Sequence, residues 1–324
     1  MLLFVLKRLG VMLITALCLT FVVFWLTNLD PNLKKLAKEQ ANARMTDAQV
    51  ETWLESHGYR RPMVLRYGEW VAAVAQGDLG TSTVFRKPVA GIVAERLTYT
   101  GWLMFWVMVV MVPSALLIGV LAGMREGSRT DRTLSTFSIA STATPEYVSG
   151  VILVVLFASS RGGLSPIFLE RGTLLKGVAT SATEHITFEN FALPVATMAL
   201  YGMGYIARMT RASMAEVMTA QYIRTARLKG VSFANIVIRH ALRNALIAPF
   251  TVIMLQFPWL LTGVVIVETL FNYKGFGWTL VQAASNNDIE LLLSCSIVAV
   301  LVVLVTQLIS DIGYVWLNPR IRVR

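Results

Sequence analysis

Six apolar runs, about residues 9–29, 99–123, 133–159, 191–210, 246–270 and 290–316, leave this chain few folds to choose from. Each approaches the roughly 20 residues an α-helix needs to cross the hydrocarbon of a bilayer. A segment in lipid must satisfy its own backbone N–H and C=O groups, so runs of this length read as transmembrane helices. The expected fold class is an all-α polytopic membrane protein with six transmembrane helices. Apolar residues make up 55% of the 324, which fits spans better than one large soluble core.

An even number of spans returns both termini to one side, and basic residues near span ends fix which side that is. One side carries Lys7, Arg8, Arg125, Arg129, Arg132, seven basic residues from Arg208 to Arg243, and Arg320, Arg322 and Arg324. That is fifteen basic residues against three acidic ones, Glu126, Asp131 and Glu216. The other side is nearly balanced, fourteen to thirteen. Both termini and the 211–245 hairpin are therefore expected in the cytoplasm, in a multi-pass topology. The net charge of +10 then reports topology, and no nucleic-acid partner is expected. Lys7-Arg8 precede an apolar run too long for a signal core and without a small-x-small cleavage site, so the first span is read as retained. Four regions follow: 1–29 as N-terminus and first span, 30–98 as an extracytoplasmic helical segment, 99–316 as the core membrane domain, and 317–324 as a cytoplasmic tail.

Within 30–98, Thr46-Asp47-Ala48-Gln49 has capping-box spacing before Val50, Trp53 and Leu54, with Gly58 as a stop. Pro62 opens a second helix carrying Met63, Tyr67, Trp70, Val71 and Val74, ending at Gly77. The segment reads either as a packed helical cap or as an interfacial amphipathic pair. Pro113 in the second span and Pro249 and Pro258 in the fifth each permit a kink. The loop 160–190 is polar and Gly-rich, with Glu184-His185 as a solvated pair. Cys18 and Cys295 lie in apolar runs with no metal or disulfide spacing and read as small apolar residues.

The longest basic stretch runs from Gln221 to Asn244. It reads as two short helices broken at Gly230, which takes the left-handed position after a helix end, with Ser232 capping the next helix. No G-x-x-x-x-G-K-[ST], H-E-x-x-H or G-x-S-x-G occurs, so no P-loop nucleotide site, zinc-protease helix or nucleophile elbow is present. Three charged residues stand in spans, where burial costs several kcal/mol and marks function by default. Glu268 and Asp311, near span ends, are expected to reach the interface or to pair with Arg or Lys. Glu146, nearer mid-span, is expected to face a polar cavity. Glu146 and Glu268 are the candidates for a substrate path.

Tyr222-Ile223-Arg224-Thr225-Ala226-Arg227-Leu228-Lys229-Gly230, followed by Arg239-His240-Ala241-Leu242-Arg243-Asn244-Ala245-Leu246-Ile247, resembles the coupling segment of ABC-importer permeases, above all the dipeptide/oligopeptide/nickel branch. Gly230 holds the glycine of the general Glu-Ala-Ala-x-x-x-Gly signature, with Arg224, Thr225 and Ala226 in place of Glu-Ala-Ala. Loss of the acidic residue is usual in the peptide branch. The resemblance covers nearly the whole chain. Gly77-Asp78-Leu79-Gly80 with Ser82, Pro88-Val89 and Glu95-Arg96-Leu97 are similar to the approach to the second span. Leu193-Pro194 through Ala207-Arg208 and Arg211-Ala212-Ser213-Met214 are similar to the fourth. Val267-Glu268-Thr269-Leu270-Phe271 with Gly275-Phe276-Gly277 match the exit of the fifth, and Asp311 with Leu317-Asn318-Pro319-Arg320-Ile321-Arg322 match the carboxy-terminal end. Two departures are visible: Asn28-Leu29-Asp30-Pro31 where the family has Pro-Gly-Asp-Pro, and Ile247-Ala248-Pro249 where it has Ile-Pro.

The resemblance implies a type I ABC importer permease fold and a set of partners: a homologous second permease, two cytoplasmic ATPases and an extracytoplasmic substrate-binding protein. ATP and Mg would be bound by the ATPases and no cofactor by this chain, which would be non-catalytic. Tyr222, Arg224, Thr225, Ala226, Arg227, Lys229, Gly230, Arg239, His240, Arg243 and Asn244 would form the ATPase-coupling segment. Competing readings are an ion-driven secondary transporter, for which no internal repeat is visible, and a membrane scaffold.

Overall fold

A computed structural model describes residues 2–169 and 172–317. The basic tail residues Arg320, Arg322 and Arg324 lie outside the described residues. In chain order the helices are α1 (Leu2–Thr27), α2 (Asp30–Gln40), α3 (Asp47–Ser56), α4 (Met63–Ala75), α5 (Val89–Gly123), α6 (Arg129–Ala143), α7 (Glu146–Phe157), α8 (Ser165–Phe168), α9 (Phe188–Met218) and α10 (Gln221–Leu228). A second arm joins α11 (Phe233–Asn235), a π-helical segment (Ile236–Ala241) and α12 (Leu242–Ala245), before α13 (Ile247–Leu270), α14 (Phe276–Ser285) and α15 (Ile289–Leu317). The fold is all-helical, and the described residues hold one isolated β-bridge, Thr81 to Pro88.

The chain forms two compact units, Met1–Tyr99 with Lys274–Val305, and Thr100–Tyr273 with Thr306–Arg324. In the first, Phe24 of α1, Leu33, Leu36 and Ala37 of α2, Val50 and Leu54 of α3, and Ile289 and Leu293 of α15 share one core, with Tyr67 and Trp70 of α4 against it. Thus α2 and α3 share a buried core with α1 and α15, and α4, none of whose residues is fully buried, rests against it. The entry to α3 is as the sequence indicates: Thr46 and Gln49 form a reciprocal capping box, and Gly58 and Gly77 take φ of 75° and 85° at the helix stops. The helix α2, opened by Pro31 in its first turn, is an addition to the expected pair. Arg60 bridges Asp30 and Glu51 at 2.5 and 2.6 Å, and its guanidinium holds both carboxyls below their ordinary range.

In the second unit α9 is the central element. It opens with a capping box between Thr187 and Asn190 and buries seventeen of its thirty-one residues. Neighbouring helices approach it where side chains are small. A methyl group added at Gly119 of α5 would meet the Ala207 carbonyl oxygen at 2.6 Å, and one at Gly123 would meet that of Arg211 at 2.6 Å. Gly204 lies against Ser138 and Ser141 of α6 in the same way. Small residues that let backbones touch are the usual basis of helix association where lipid supplies no hydrophobic drive.

By length and composition, three helices among the described residues can cross a membrane: Leu6–Thr27, Val89–Gly123 and Ile289–Ile312. The number rises to five if each of two bent pairs counts as one span. The expected third span, 133–159, is such a pair: α6 and α7 meet at 109°. Pro145 causes the break, because proline disfavours helical backbone in the residue before it, and Thr144 is extended at φ −87°, ψ 122°. At 12 residues, α7 measures about 18 Å and is too short to cross alone. The expected fourth span is α9, longer and more polar than the run 191–210 indicated. Pro249 stands in the first turn of α13, where no hydrogen bond is lost, and not in mid-helix.

These approaches carry a prediction. Gly119→Val, by forcing α5 off α9, should cost about 2 kcal/mol or more and lower the thermal midpoint of the purified protein. Gly91→Val, with nothing within 4 Å of its added Cβ, should change the midpoint little. Equal midpoints for the two variants would contradict the packing account.

Candidate functional site

The residues from Gln221 to Ala245 fold as a discrete unit on the ends of two long helices. Of α10, only Ile223 and Ala226 are buried, one helical turn apart and so on one narrow face. They join Met214 and Met218 at the end of α9, and Ile236, Val237, Ala241 and Ala245 of the second arm. Val120 and Met124, at the end of α5, close this core. The i→i+5 bonding of the π-helical segment sets Ile236, Val237 and Ala241 on the core side while Ile238, Arg239 and His240 stay exposed.

Between the arms stands a complete Schellman motif. Gly230 has φ +75°, its N–H donates to the Arg227 carbonyl at 3.0 Å, and the Val231 N–H donates to the Ala226 carbonyl at 3.2 Å. Val231 then packs on the core that holds Ala226, the apolar contact that accompanies this cap. Ser232 does stand at the next N-cap in extended backbone, but its hydroxyl makes no cap bond. The Asn244 amide donates to the Tyr222 hydroxyl at 2.9 Å, tying the arms together, and the Arg125 guanidinium lies 5.2 Å over the Phe233 ring.

Most of the sequence-selected residues here are exposed: Tyr222, Arg224, Thr225, Arg227, Lys229 and Gly230 on one arm, Arg239, His240, Arg243 and Asn244 on the other. Ala226 is placed differently, at 7% exposure in the core, where it anchors α10 and offers no surface. Among the basic residues sit apolar side chains that nothing covers, Leu228 at 82% exposure and Ile238 at 63%. The surface is thus basic at its edges, apolar in places and free of carboxylates, which suits an acidic rim around an apolar groove on another protein.

One buried ion pair fixes the helix under this unit. Asp131, 2% exposed, accepts from Arg211 Nε and Nη2 at 2.5 and 2.7 Å, from the Gly127 N–H at 2.9 Å and from the Ser135 hydroxyl at 3.0 Å. Every acceptor direction of this carboxylate is used, the condition under which such a pair holds two elements in register.

The two candidate path carboxylates are not brought together. Glu146 begins α7 just past the bend, with Oε2 buried beside Gly263 of α13 and without a hydrogen-bond partner among the described residues. Glu268 is fully buried and accepts from the Thr100 hydroxyl at 2.5 Å. It therefore does not reach an interface, as its place near a span end had suggested.

The open space of this unit lies elsewhere. A cavity of about 560 Å³ is walled by α6, α9 and α13, with Thr142, Tyr201, Tyr205, Arg208, Gln256 and Trp259 on its surface. The Tyr201 and Trp259 rings stack at 4.8 Å and 14°. Sequence reasoning assigned Arg208 to topology alone. The available signal was its place inside the run 191–210, where a charge has to be accommodated.

An all-helical fold with apolar spans and an exposed basic hairpin seated on the ends of two long helices defines an integral membrane protein. Residues 115–323 match the family of binding-protein-dependent transport system inner membrane components, and the chain belongs to that family. It is 30% identical over 324 residues, 99% of each chain, to the glutathione transport system permease protein GsiC of Escherichia coli O6:H1. It is 31% identical, again over 99% of each, to GsiC of Salmonella typhi. A probable peptide ABC transporter permease protein, y4tP of Sinorhizobium fredii, is 33% identical over 87% of this chain and 88% of that one. A crystal structure of an amino acid ABC transporter with histidines is a distant likeness, at 14% identity over 69% of this chain and 93% of that one, with a TM-score of 0.49. The chain is thus a permease subunit of a binding-protein-dependent importer in the inner membrane, and not a secondary transporter.

The Asp131–Arg211 pair gives a test of this site. Asp131→Ala leaves the partly exposed Arg211 guanidinium without its main partner and should destabilise the unit by about 1.5 kcal/mol. Hydrogen exchange across residues 211–245 should rise with it. Unchanged exchange there would show that the pair does not hold the hairpin's base.

Proposed function

We propose that this chain forms, with a homologous second permease, the translocation path of an importer for peptides or similar small solutes. Two cytoplasmic ATPases bind ATP and Mg and drive it, and an extracytoplasmic binding protein delivers the solute. The chain itself carries out no catalysis and holds no cofactor. The peptide class rests on the glutathione and peptide names of its relatives. Six spans rest on the six apolar runs of the sequence, and both termini in the cytoplasm with the 30–98 segment outside rest on the charge asymmetry.

The observation that carries the reading is the exposed basic and apolar face of α10, set on a rigid break and anchored to α5 and α9. Closure of the ATPases about ATP would pull on α10. The shared core passes that displacement to the ends of α5 and α9 as one body, and the helices swing. A soft joint at Gly230 would dissipate the motion. The Schellman bonds make the joint stiff, and glycine makes its left-handed backbone cheap.

The expected behaviour of Gly230 variants follows from φ alone, since nothing lies within 4 Å of an added Cβ. In reconstituted vesicles, Gly230→Asn should retain most ATP-driven uptake, because asparagine tolerates this region; Gly230→Ala should lose part of it. Gly230→Val should lose about tenfold or more at similar basal ATP hydrolysis, given the cost of positive φ to β-branched residues. Uptake that does not follow this order would count against the lever.

A further inference from the structure

We propose that the α6/α9/α13 cavity is a water-filled station that holds a carboxylate-bearing solute, with Arg208 as the anion contact and the Tyr201–Trp259 pair as the platform for its planar or apolar part. The inference deepens the importer reading and rests on it.

Depth comes first. The apolar helix Val89–Gly123 ends at Gly123, which lies against Arg211 and Met214 of α9. Arg208 is therefore about one turn inside that level, and Tyr201 two turns further in, at 1.5 Å per residue. A topological arginine near a span end would extend outward to water. Arg208 is exposed on the wall of the cavity, and its guanidinium lies 5.9 Å over the Tyr205 ring, one turn back along α9 toward the middle of the span. It has no carboxylate partner among the described residues. An unpaired charge at this depth belongs at a water-filled cavity and marks a solute path.

The other walls add chemistry. Gln256, only 7% exposed, and Thr142 place amide and hydroxyl groups within the span. On the same cavity, two stacked aromatic rings present a flat apolar surface. Few polar groups on an aromatic wall, in about 560 Å³, is the form of a site for a small organic molecule. A planar guanidinium meets carboxylate or phosphate with two parallel hydrogen bonds. The aromatic platform selects the carboxylate of a larger planar or apolar molecule over free phosphate.

The test reads electrostatics and occupancy without ATP. Cys18 and Cys295 are replaced by alanine, Thr142→Cys is introduced, and the assembled transporter is placed in permeabilised vesicles. Labelling rates are measured with the anionic reagent methanethiosulfonate ethylsulfonate and its cationic trimethylammonium analogue. The anionic reagent should react faster. The ratio should fall about tenfold in Arg208→Gln and survive in Arg208→Lys, as expected for one unit charge within a few ångströms. N-acetyltryptophan should slow the label, while its amide and inorganic phosphate should not. Gln256→Cys serves as a second reporter should Thr142→Cys fail to assemble. Absence of labelling, a ratio indifferent to Arg208, or equal protection by all three compounds would each overturn the proposal. The importer reading fails separately, if wild-type vesicles with their binding protein show no ATP-dependent uptake.

Discussion

The structure depends on how closely α9 is approached by the helices beside it. Gly119, Gly123 and Gly204 bring α5 and α6 to backbone contact with it, and no larger side chain fits at those positions. Everything attached to that assembly inherits its precision. The core formed by Met214, Met218, Val120 and Met124 exists because the ends of α5 and α9 are held side by side, and the 221–245 unit is built on that core. The Asp131–Arg211 pair then fixes α6 to the same helix. Through these contacts α10 is joined to α5, α6 and α9.

Division of labour along α10 is set by its two buried residues. Ile223 and Ala226 hold the helix to the protein, and the remaining face is exposed. In the signature that this segment resembles, Ala226 stands in the most characteristic triplet, yet its side chain points into the core. The small size of that residue serves close packing and the Schellman contact with Val231. Leu228 and the basic side chains around it make up the exposed face instead.

Much of this was legible in the sequence, and the limits have physical causes. Helix ends marked by local chemistry were readable: Thr46 with Gln49, Gly58, Gly77 and Gly230 all act through their own backbone and neighbours. Continuous apolar runs gave the helices but not their geometry. Hydropathy counts residues and is blind to Thr144–Pro145 turning one expected span through 109°. It also underrated α9, whose small and polar residues are buried by protein and not by lipid. Facing relations between distant residues were beyond reach. Nothing local to Tyr201 or Trp259 says that their rings stack, nor that Glu268 finds Thr100.

The importer reading requires that another protein engage the exposed face of α10. The most direct measurement places the photocrosslinking amino acid p-benzoylphenylalanine at Leu228 in the full chain, expressed with its importer partners, and identifies the adduct. A covalent product with the ATPase subunit is expected, reduced when Arg224 and Arg227 are neutralised. Adducts only with lipid, or with the permeases alone, would contradict it.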